Sequence, residues 1–326
     1  MANDDATCEA KLVSSLLNEN MSSWMENLPN EKQLCPLSQL TIPGSHDSAA
    51  FWLDTSLEIA PDQPKLIQTL AGLNFLGKTT KNIVNNWSVT QSCDINQQLC
   101  CGIRYFDFRI AFRKESDDFL FVHGLYGRPV ETALEELKSF LLLNPKEIVL
   151  LDFNHLHSME IEEHLRLSTL LTASFGDMLH SRRENKSIAS LQELWLAGEQ
   201  VIIFYPNSFI LEMFPSFFGS DAICSPWPNT DNEEKILEHI SAHGLASKAR
   251  GQFHVTQAVL TPQTSTVVRN INSSLKSCLT SKANTAIVSW LKKNMGDKSF
   301  SFNVILADHV DFDDLTSTII GFNYIY

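Results

Sequence analysis

Gly102-Ile-Arg-Tyr-Phe-Asp107-Phe-Arg109-Ile110 is the stretch whose reading decides the fold. Side chains along a strand alternate faces with a period of two. Ile103, Tyr105, Asp107 and Arg109 therefore share one face, and Arg104, Phe106, Phe108 and Ile110 share the other. The second face is mostly apolar and suits packing beneath helices. The first turns from apolar to charged as the chain advances. Six further short runs rich in β-formers recur: Leu40–Ile42, Phe119–Val122, Ile148–Phe153, Val201–Tyr205, Phe253–Val259 and Asn303–Ala307. The same parity aligns Phe119 and Phe121 with His123, Leu150 and Asp152 with Asn154, and Val201 and Ile203 with Tyr205. It also aligns Val255 with Gln257, and Val304 and Leu306 with Asp308. Apolar residues come first in each run, and a polar one closes it.

Helical patterns lie between several runs. Glu131–Leu143 puts Leu134, Leu137, Phe140 and Leu141 on one face. Ser187–Leu196, Asn232–Ile240 and Thr285–Lys293 read similarly. Strands alternating with helices imply a parallel sheet. The expected fold is α/β, a single-domain, distorted or incomplete TIM (β/α)8 barrel, with an open doubly wound sheet as the second choice. A barrel carries its active site at the C-terminal strand ends, where the polar residues fall. Phe214 to Pro228, with Pro215 and Pro226, reads as a long surface loop. Ala10 to Leu28 reads as an amphipathic helix with Leu12, Leu16, Leu17 and Trp24, packed across the barrel bottom. The expected division is an amino-terminal helical segment over 1–30 and the barrel over 31–326.

The 326 residues are 44% hydrophobic and 19% charged, enough to bury a large core and too apolar for global disorder. Lys and Arg number 25 against 38 Asp and Glu, a net charge of −13. That balance argues against nucleic acid as a partner and against electrostatic docking on anionic lipid. No apolar run approaches the ~18–20 residues of a spanning helix, and the acidic start Met1-Ala-Asn-Asp-Asp5 does not resemble a signal peptide. A soluble, cytoplasmic protein is expected. Seven cysteines without a Cys-x-x-Cys pair point to free thiols rather than zinc or a disulfide framework.

The strand ends supply the candidate chemistry. In Leu40-Thr-Ile-Pro-Gly-Ser-His46-Asp47, the Pro-Gly turn projects an imidazole and a carboxylate together, both able to move protons. Asp107 and Arg109 offer either a structural ion pair or a phosphate clamp. His123 closes one strand. Base, acid and clamp are the parts required for in-line cleavage of a phosphodiester. Asp308 ends the last strand, which barrel closure brings beside His46, where a carboxylate orients an imidazole. Asn154, His155 and His157 suit a polyol, a metal or a plain loop, with no third ligand to favour a metal.

These residues resemble the X domain of phosphatidylinositol-specific phospholipase C, and the small animal PI-PLC X domain-containing proteins more closely. The matching segments are Thr41-Ile-Pro-Gly-Ser-His46-Asp-Ser, Gly102-Ile-Arg-Tyr-Phe-Asp107-Phe-Arg109, Val122-His123-Gly124 and Asn144-Pro-Lys-Glu-Ile-Val-Leu-Leu-Asp152-Phe-Asn-His155. Trp87-Ser-Val-Thr-Gln91, Ser225-Pro-Trp227, Val255-Thr-Gln257 and Asn303-Val-Ile-Leu-Ala-Asp308 support them. The resemblance implies a distorted TIM barrel. It implies that His46 is the general base, His123 the general acid and Arg109 the phosphate clamp. Asp47 would pair with the acid, Asp308 with the base, and Asp107 would orient Arg109. Asn154, Tyr205 and Gln257 stand where inositol-binding residues are expected, and each differs from the bacterial pattern. Because Arg109 takes the place where calcium-dependent relatives neutralise the phosphate, no calcium or other cofactor is expected. The implied partner is phosphatidylinositol or a related inositol phospholipid. It is reached by transient membrane contact through apolar loops such as Phe51-Trp52 and the Phe214–Trp227 segment. A glycerophosphodiesterase-like metal site is not found, and a lipid-binding barrel with little turnover is the alternative.

Overall fold

The computed structural model describes residues 21–63, 77–181, 188–246 and 251–325. In chain order the strands are β1 (Ile42–Ser45), β2 (Tyr105–Arg113), β3 (Asp118–His123), β4 (Leu125–Pro129), β5 (Val149–His157), β6 (Val201–Phe204), β7 (Phe217–Phe218), β8 (Ile223–Cys224), β9 (Phe253–Gln257) and β10 (Val304–Ala307). Eight run parallel, in the order β7-β6-β5-β2-β1-β10-β9-β8. That order follows the chain once around, so the sheet curls into a (β/α) barrel in a single domain. Among the described residues no ladder joins β7 to β8, and the barrel stays open at that seam.

Two apolar layers sandwich the sheet. Inside the curl lie Ile42, Tyr105, Leu150, Ile202, Phe204, Val255, Val304 and Leu306, with Trp24, Met25, Leu28 and Leu40 joining the same core. Outside, Phe106, Phe108, Ile110, Leu151 and Phe153 meet Leu134, Leu137, Phe140 and Leu141 of the helix Val130–Leu143. Each such side chain contributes about 1.5–3 kcal/mol on burial. Gly44 on β1 has no room for a side chain, since a Cβ there would lie 2.9 Å from the Tyr105 ring.

The predicted helices appear as Val130–Leu143, Leu191–Ala197, Glu233–Ala246 and Ser281–Asn294. Most of the Ala10–Leu28 helix lies outside the described residues. Its described end is a short 3-10 turn, Met21–Ser23, followed by the buried Trp24.

Three expectations are corrected. The Phe119–Val122 run is not a barrel stave: β3 pairs antiparallel with β2 and with β4. The turn between Arg113 and Asp118 is too short for the crossover that a parallel neighbour requires. The Phe214–Pro228 segment is no surface loop, for it carries β7 and β8 and buries Phe217 and Phe218. Two-residue strands are too short to show a period. Finally, β6 sends Ile202 and Phe204 inward, while Val201, Ile203 and Tyr205 join the outer layer. A parallel strand buried on both faces reads as a continuous apolar run, so alternation carries no sign there.

Arg104, just before β2, is fully buried, and its Nε donates to Glu147 at 2.8 Å. The guanidinium also donates to the carbonyls of Leu99, Ile103 and Ser22. The pair ties the barrel floor to the segment around Trp24. Glu147→Ala leaves this buried cation unpaired and is expected to lower unfolding free energy by about 3–5 kcal/mol. Urea denaturation measures it, and an unshifted midpoint would contradict the assignment.

Candidate active site

Parallel pairing of β1 with β10 sets Ser45 opposite Ala307, so the next residues, His46 and Asp308, emerge side by side. His46 Nδ1 lies 2.8 Å from Asp308 Oδ1. Because a carboxylate only accepts, Nδ1 carries the proton and Nε2 faces the barrel mouth. Arg109 Nη2 stands 3.2 Å from that Nε2. Gln91, fully buried, donates to the carbonyls of His46 at 2.9 Å and Ala307 at 3.1 Å, stitching the two strand ends together.

Asp47 is the hub. It is buried with φ at 39°, a left-handed conformation that costs a non-glycine residue of order 1 kcal/mol or more. Its N–H donates to Asp107 Oδ2 at 3.1 Å, and its carbonyl accepts from Thr90 Oγ1 at 3.0 Å, which fixes the turn. The carboxylate contacts Arg109 Nε directly, His123 Nε2 at 3.1 Å and His46 Nε2 at 3.5 Å. Burial pushes this carboxyl up, but Arg109, His123 and His46 outweigh it and hold it down at about 2.

His123, at the end of β3, directs Nδ1 to the Ser88 carbonyl at 2.7 Å. Each ring nitrogen thus faces an acceptor, an arrangement that the imidazolium satisfies. Gly124 follows with φ at 76°, and a side chain there would strike Ser88. The His46 and His123 rings sit edge to face with centroids 6.3 Å apart. Burial disfavours a charged His46, yet Asp47 and Asp308 outweigh it and raise its pKa to about 9.

One extra residue on β5 between Asp152 and His155 re-aims Asn154 into the mouth. Asn154 Nδ2 donates to Asp107 Oδ1 at 2.7 Å and Asp152 Oδ2 at 3.2 Å. Burial raises the Asp152 carboxyl to about 7, against the Tyr105 hydroxyl that donates to it at 2.5 Å.

The structure thus gathers His46, Asp47, Asp107, Arg109, His123, Asn154 and Asp308 at one end of the barrel. Gln257 lies on the inner face of β9 and donates to Ser225 Oγ at 2.9 Å. Tyr205 is elsewhere: it packs on Phe153 and Phe217 in the outer layer, and its hydroxyl meets His164 Nδ1 at 2.8 Å. The expectation that it lines the mouth is corrected, because β6 runs with the opposite parity. Ser88, Gln91 and Tyr105 received no role from the sequence. Gln91 sits in a quoted motif, but nothing in its spacing reveals three hydrogen bonds.

His46, Asp47 and Asp107 are the described residues whose ligand atoms converge, all within 4.8 Å of one another. The Arg109 guanidinium already touches both carboxylates, with Nη2 3.7 Å from Asp107. Calcium takes six to eight oxygens. Two carboxylates shared with a fixed cation and one imidazole nitrogen do not fit it.

The chain is 34% identical over 308 residues to human PI-PLC X domain-containing protein 3, covering 94% of each chain. It is 35% identical over 315 residues to mouse PI-PLC X domain-containing protein 2, covering 96% of this chain and 90% of that one. It belongs to the PI-PLC X domain-containing protein family. No protein-family model matches the chain. Among solved structures, phosphatidylinositol-specific phospholipase C from Staphylococcus aureus superposes with a TM-score of 0.65 at 18% identity, covering 94% of this chain and 99% of that one. The enzyme of that name from Listeria monocytogenes gives a TM-score of 0.65 at 17% identity, covering 93% and 98%. These structures support the barrel fold of the X-domain family. No helix among the described residues is long and apolar enough to cross a membrane.

The His46 environment makes a pH prediction. A raised histidine pKa stabilises the fold below its unfolded value, and that stability is lost as pH rises through about 9. Nitrogen-15 NMR of the imidazole should show His46 titrating well above 6.5, and Asp308→Asn should lower the midpoint. A midpoint at or below 6.5 would contradict the geometry.

Proposed function

We propose that the chain is a phosphoric diester hydrolase of the phosphatidylinositol-specific phospholipase C type, acting without a metal ion. The observation that carries this reading is a pair of imidazoles and one guanidinium gathered on the single buried carboxylate of Asp47, with Asp308 holding the far nitrogen of His46. A lipid-binding barrel needs one cation and has no use for two oriented imidazoles.

In the proposed reaction, Arg109 holds a non-bridging phosphate oxygen in place of its resting contact with Asp47. The neutral form of His46, whose share grows as pH rises toward about 9, removes the proton of the inositol 2-hydroxyl at Nε2. That oxygen attacks phosphorus as the bond to the diacylglycerol oxygen breaks, and His123 Nε2 protonates the departing oxygen. The products are diacylglycerol and a cyclic inositol phosphate, which water opens with the two histidines in exchanged roles. Asp308 holds the His46 tautomer and balances its charge; the Ser88 carbonyl holds His123 through Nδ1, and Asp47 balances the charge at Nε2 until the substrate takes its place there. Asp107 holds Arg109 and the Asp47 backbone in line. Asn154 and Gln257 border the inositol side.

Calcium is not required in this scheme, since Arg109 supplies the charge that a metal would supply. Membrane contact is apolar and transient, from the cytoplasmic side. Trp52 and Trp227 are about half exposed and follow β1 and β8 at the mouth, whereas Phe217 and Phe218 are spent on the core. Phe51 is half-buried beneath Arg128. One observation favours the slower, lipid-binding alternative. The Asn154 amide is committed to Asp107 and Asp152, Gln257 to Ser225, and Tyr205 lies behind the sheet.

Release of water-soluble inositol phosphate from phosphatidylinositol vesicles, with excess chelator, decides between them. Wild type should release it, and His46→Ala or His123→Ala should each lose about 10²–10⁴-fold. Trp227→Asp should weaken vesicle binding with an unchanged melting temperature. Activity abolished by chelator and restored by calcium would overturn metal independence. No release from wild type, with binding retained, would favour the lipid-binding reading.

A further inference from the structure

The segment from Asp54 to Asp62, which follows β1 in the chain, forms a strap along the β3–β4 hairpin. The Asp54 N–H donates to the Tyr126 carbonyl at 2.7 Å, and the Ala60 N–H donates to the Gly124 carbonyl at 3.0 Å. Between them Ile59 makes an antiparallel bridge with Leu125. Ala60 shares an apolar cluster with Ala111, Leu120, Val122 and Tyr126, and Leu57 packs against it. Glu58 accepts two bonds from Arg113 of β2, at 2.8 and 3.1 Å. At the far end of the strap, Asp62 Oδ2 accepts the Gly124 N–H at 2.7 Å.

This last contact bears on His123, because the Gly124 N–H belongs to the peptide that joins the two residues. A carboxylate accepting it makes a charge-assisted bond, which is short and strong. It fixes the rotation of the backbone at the root of the His123 side chain, and the Ala60 contact fixes the next peptide. The turn has no slack on its other side. Gly124 stands at φ 76°, and a Cβ there would lie 2.5 Å from Ser88 Oγ and 2.7 Å from Val84 Cγ1. The other oxygen of Asp62, Oδ1, is enclosed without a hydrogen-bond partner. Burial disfavours the Arg109 cation, but Asp47, Asp107 and then Asp62 outweigh it, so Asp62 also lies within electrostatic reach of Arg109.

We propose that Asp62 is a positioning residue for His123: through the Gly124 amide, it sets the direction of the His123 ring. The consequence for catalysis rests on the phospholipase reading, in which His123 Nε2 leaves Asp47 to meet the departing oxygen. At that moment the contact with Asp47 is given up, while the Ser88 carbonyl at Nδ1 and Asp62 at the following amide both remain. A ring that kept only the Ser88 contact would swing about that single bond, and a misplacement of about 1 Å is enough to slow a proton transfer markedly. The strap also continues from the His46–Asp47 turn, so it ties the hairpin that carries His123 to the strand that carries His46. No motif marks Asp62, because its partner is a backbone amide.

Two substrates test the assignment: phosphatidylinositol, whose leaving oxygen needs a proton, and an inositol phosphodiester with an aryl leaving group, which departs without one. Asp62→Ala should lose about 10–10²-fold on the lipid and stay near wild type on the aryl ester. Asp62→Asn, whose Oδ1 still accepts the amide, should recover most of that loss. Glu58→Gln loosens the strap without touching Gly124 and should affect both substrates alike. Equal losses by Asp62→Ala on the two substrates, or no recovery in Asp62→Asn, would overturn the proposal. A second readout needs no turnover. In nitrogen-15 NMR of the full-length protein, Asp62→Ala should shift the Gly124 amide and the His123 imidazole signals, and Asp62→Asn should largely restore both. Unmoved His123 signals in Asp62→Ala would overturn the proposal. If wild type cleaves neither substrate, the phospholipase reading fails, and the imidazole signals alone decide whether Asp62 sets the ring.

Discussion

A buried carboxylate shared among three potential cations is the constraint on which the barrel mouth depends. Asp47 contacts Arg109, His123 and His46 at once, from a left-handed backbone position that its own amide and carbonyl contacts enforce. Without those partners, burying the charge would cost several kcal/mol. With them, each partner is also fixed in direction. The guanidinium contacts Asp47, Asp107 and the Nε2 of His46, and the two imidazole rings sit edge to face 6.3 Å apart. The gathering of Arg109 and the two imidazoles at one point thus follows from satisfying one carboxylate.

The barrel makes that satisfaction possible. His46 and Asp308 meet because β1 and β10 are parallel neighbours in a register that the strands fix. Asp107 and Asn154 meet because β5 carries one extra residue opposite Phe108. His123 arrives differently, on a hairpin that extends β2 beyond the barrel rim and anchors to Ser88. His123 and His46 therefore ride on separate supports, and both reach Asp47. In a chain of net charge −13, this mouth sets Arg109 and the two imidazoles among Asp47, Asp107 and Asp308, so their charges are paired at rest.

Much of this was legible in the sequence where a strand has one polar face. Asp107 and Arg109 alternate with Phe106 and Phe108, so their side of β2 could be read at once, and Asp308 follows Leu306 in the same way. Legibility failed where both faces are apolar. Val201-Ile-Ile-Phe-Tyr205 offers no polar residue to mark its inside, so parity alone puts Tyr205 on the wrong face. It failed again at Phe217–Phe218 and Ile223–Cys224, strands too short for any period. Gln91 and Ser88 stayed hidden for another reason. Gln91 acts through side-chain bonds to distant backbone and Ser88 through its own carbonyl on the His123 ring, and one sequence records no such pairing.

The central claim is a division of labour between two histidines, and one measurement separates their roles. An inositol phosphodiester with an aryl leaving group departs without a proton, whereas the natural diacylglycerol oxygen requires one. Cleavage of both substrates by wild type, His46→Ala and His123→Ala should show His123→Ala recovering most of its activity on the aryl ester. His46→Ala should remain inactive on both. Equal losses by His123→Ala on the two substrates, or rescue of His46→Ala by the aryl group, would contradict the assignment of acid and base.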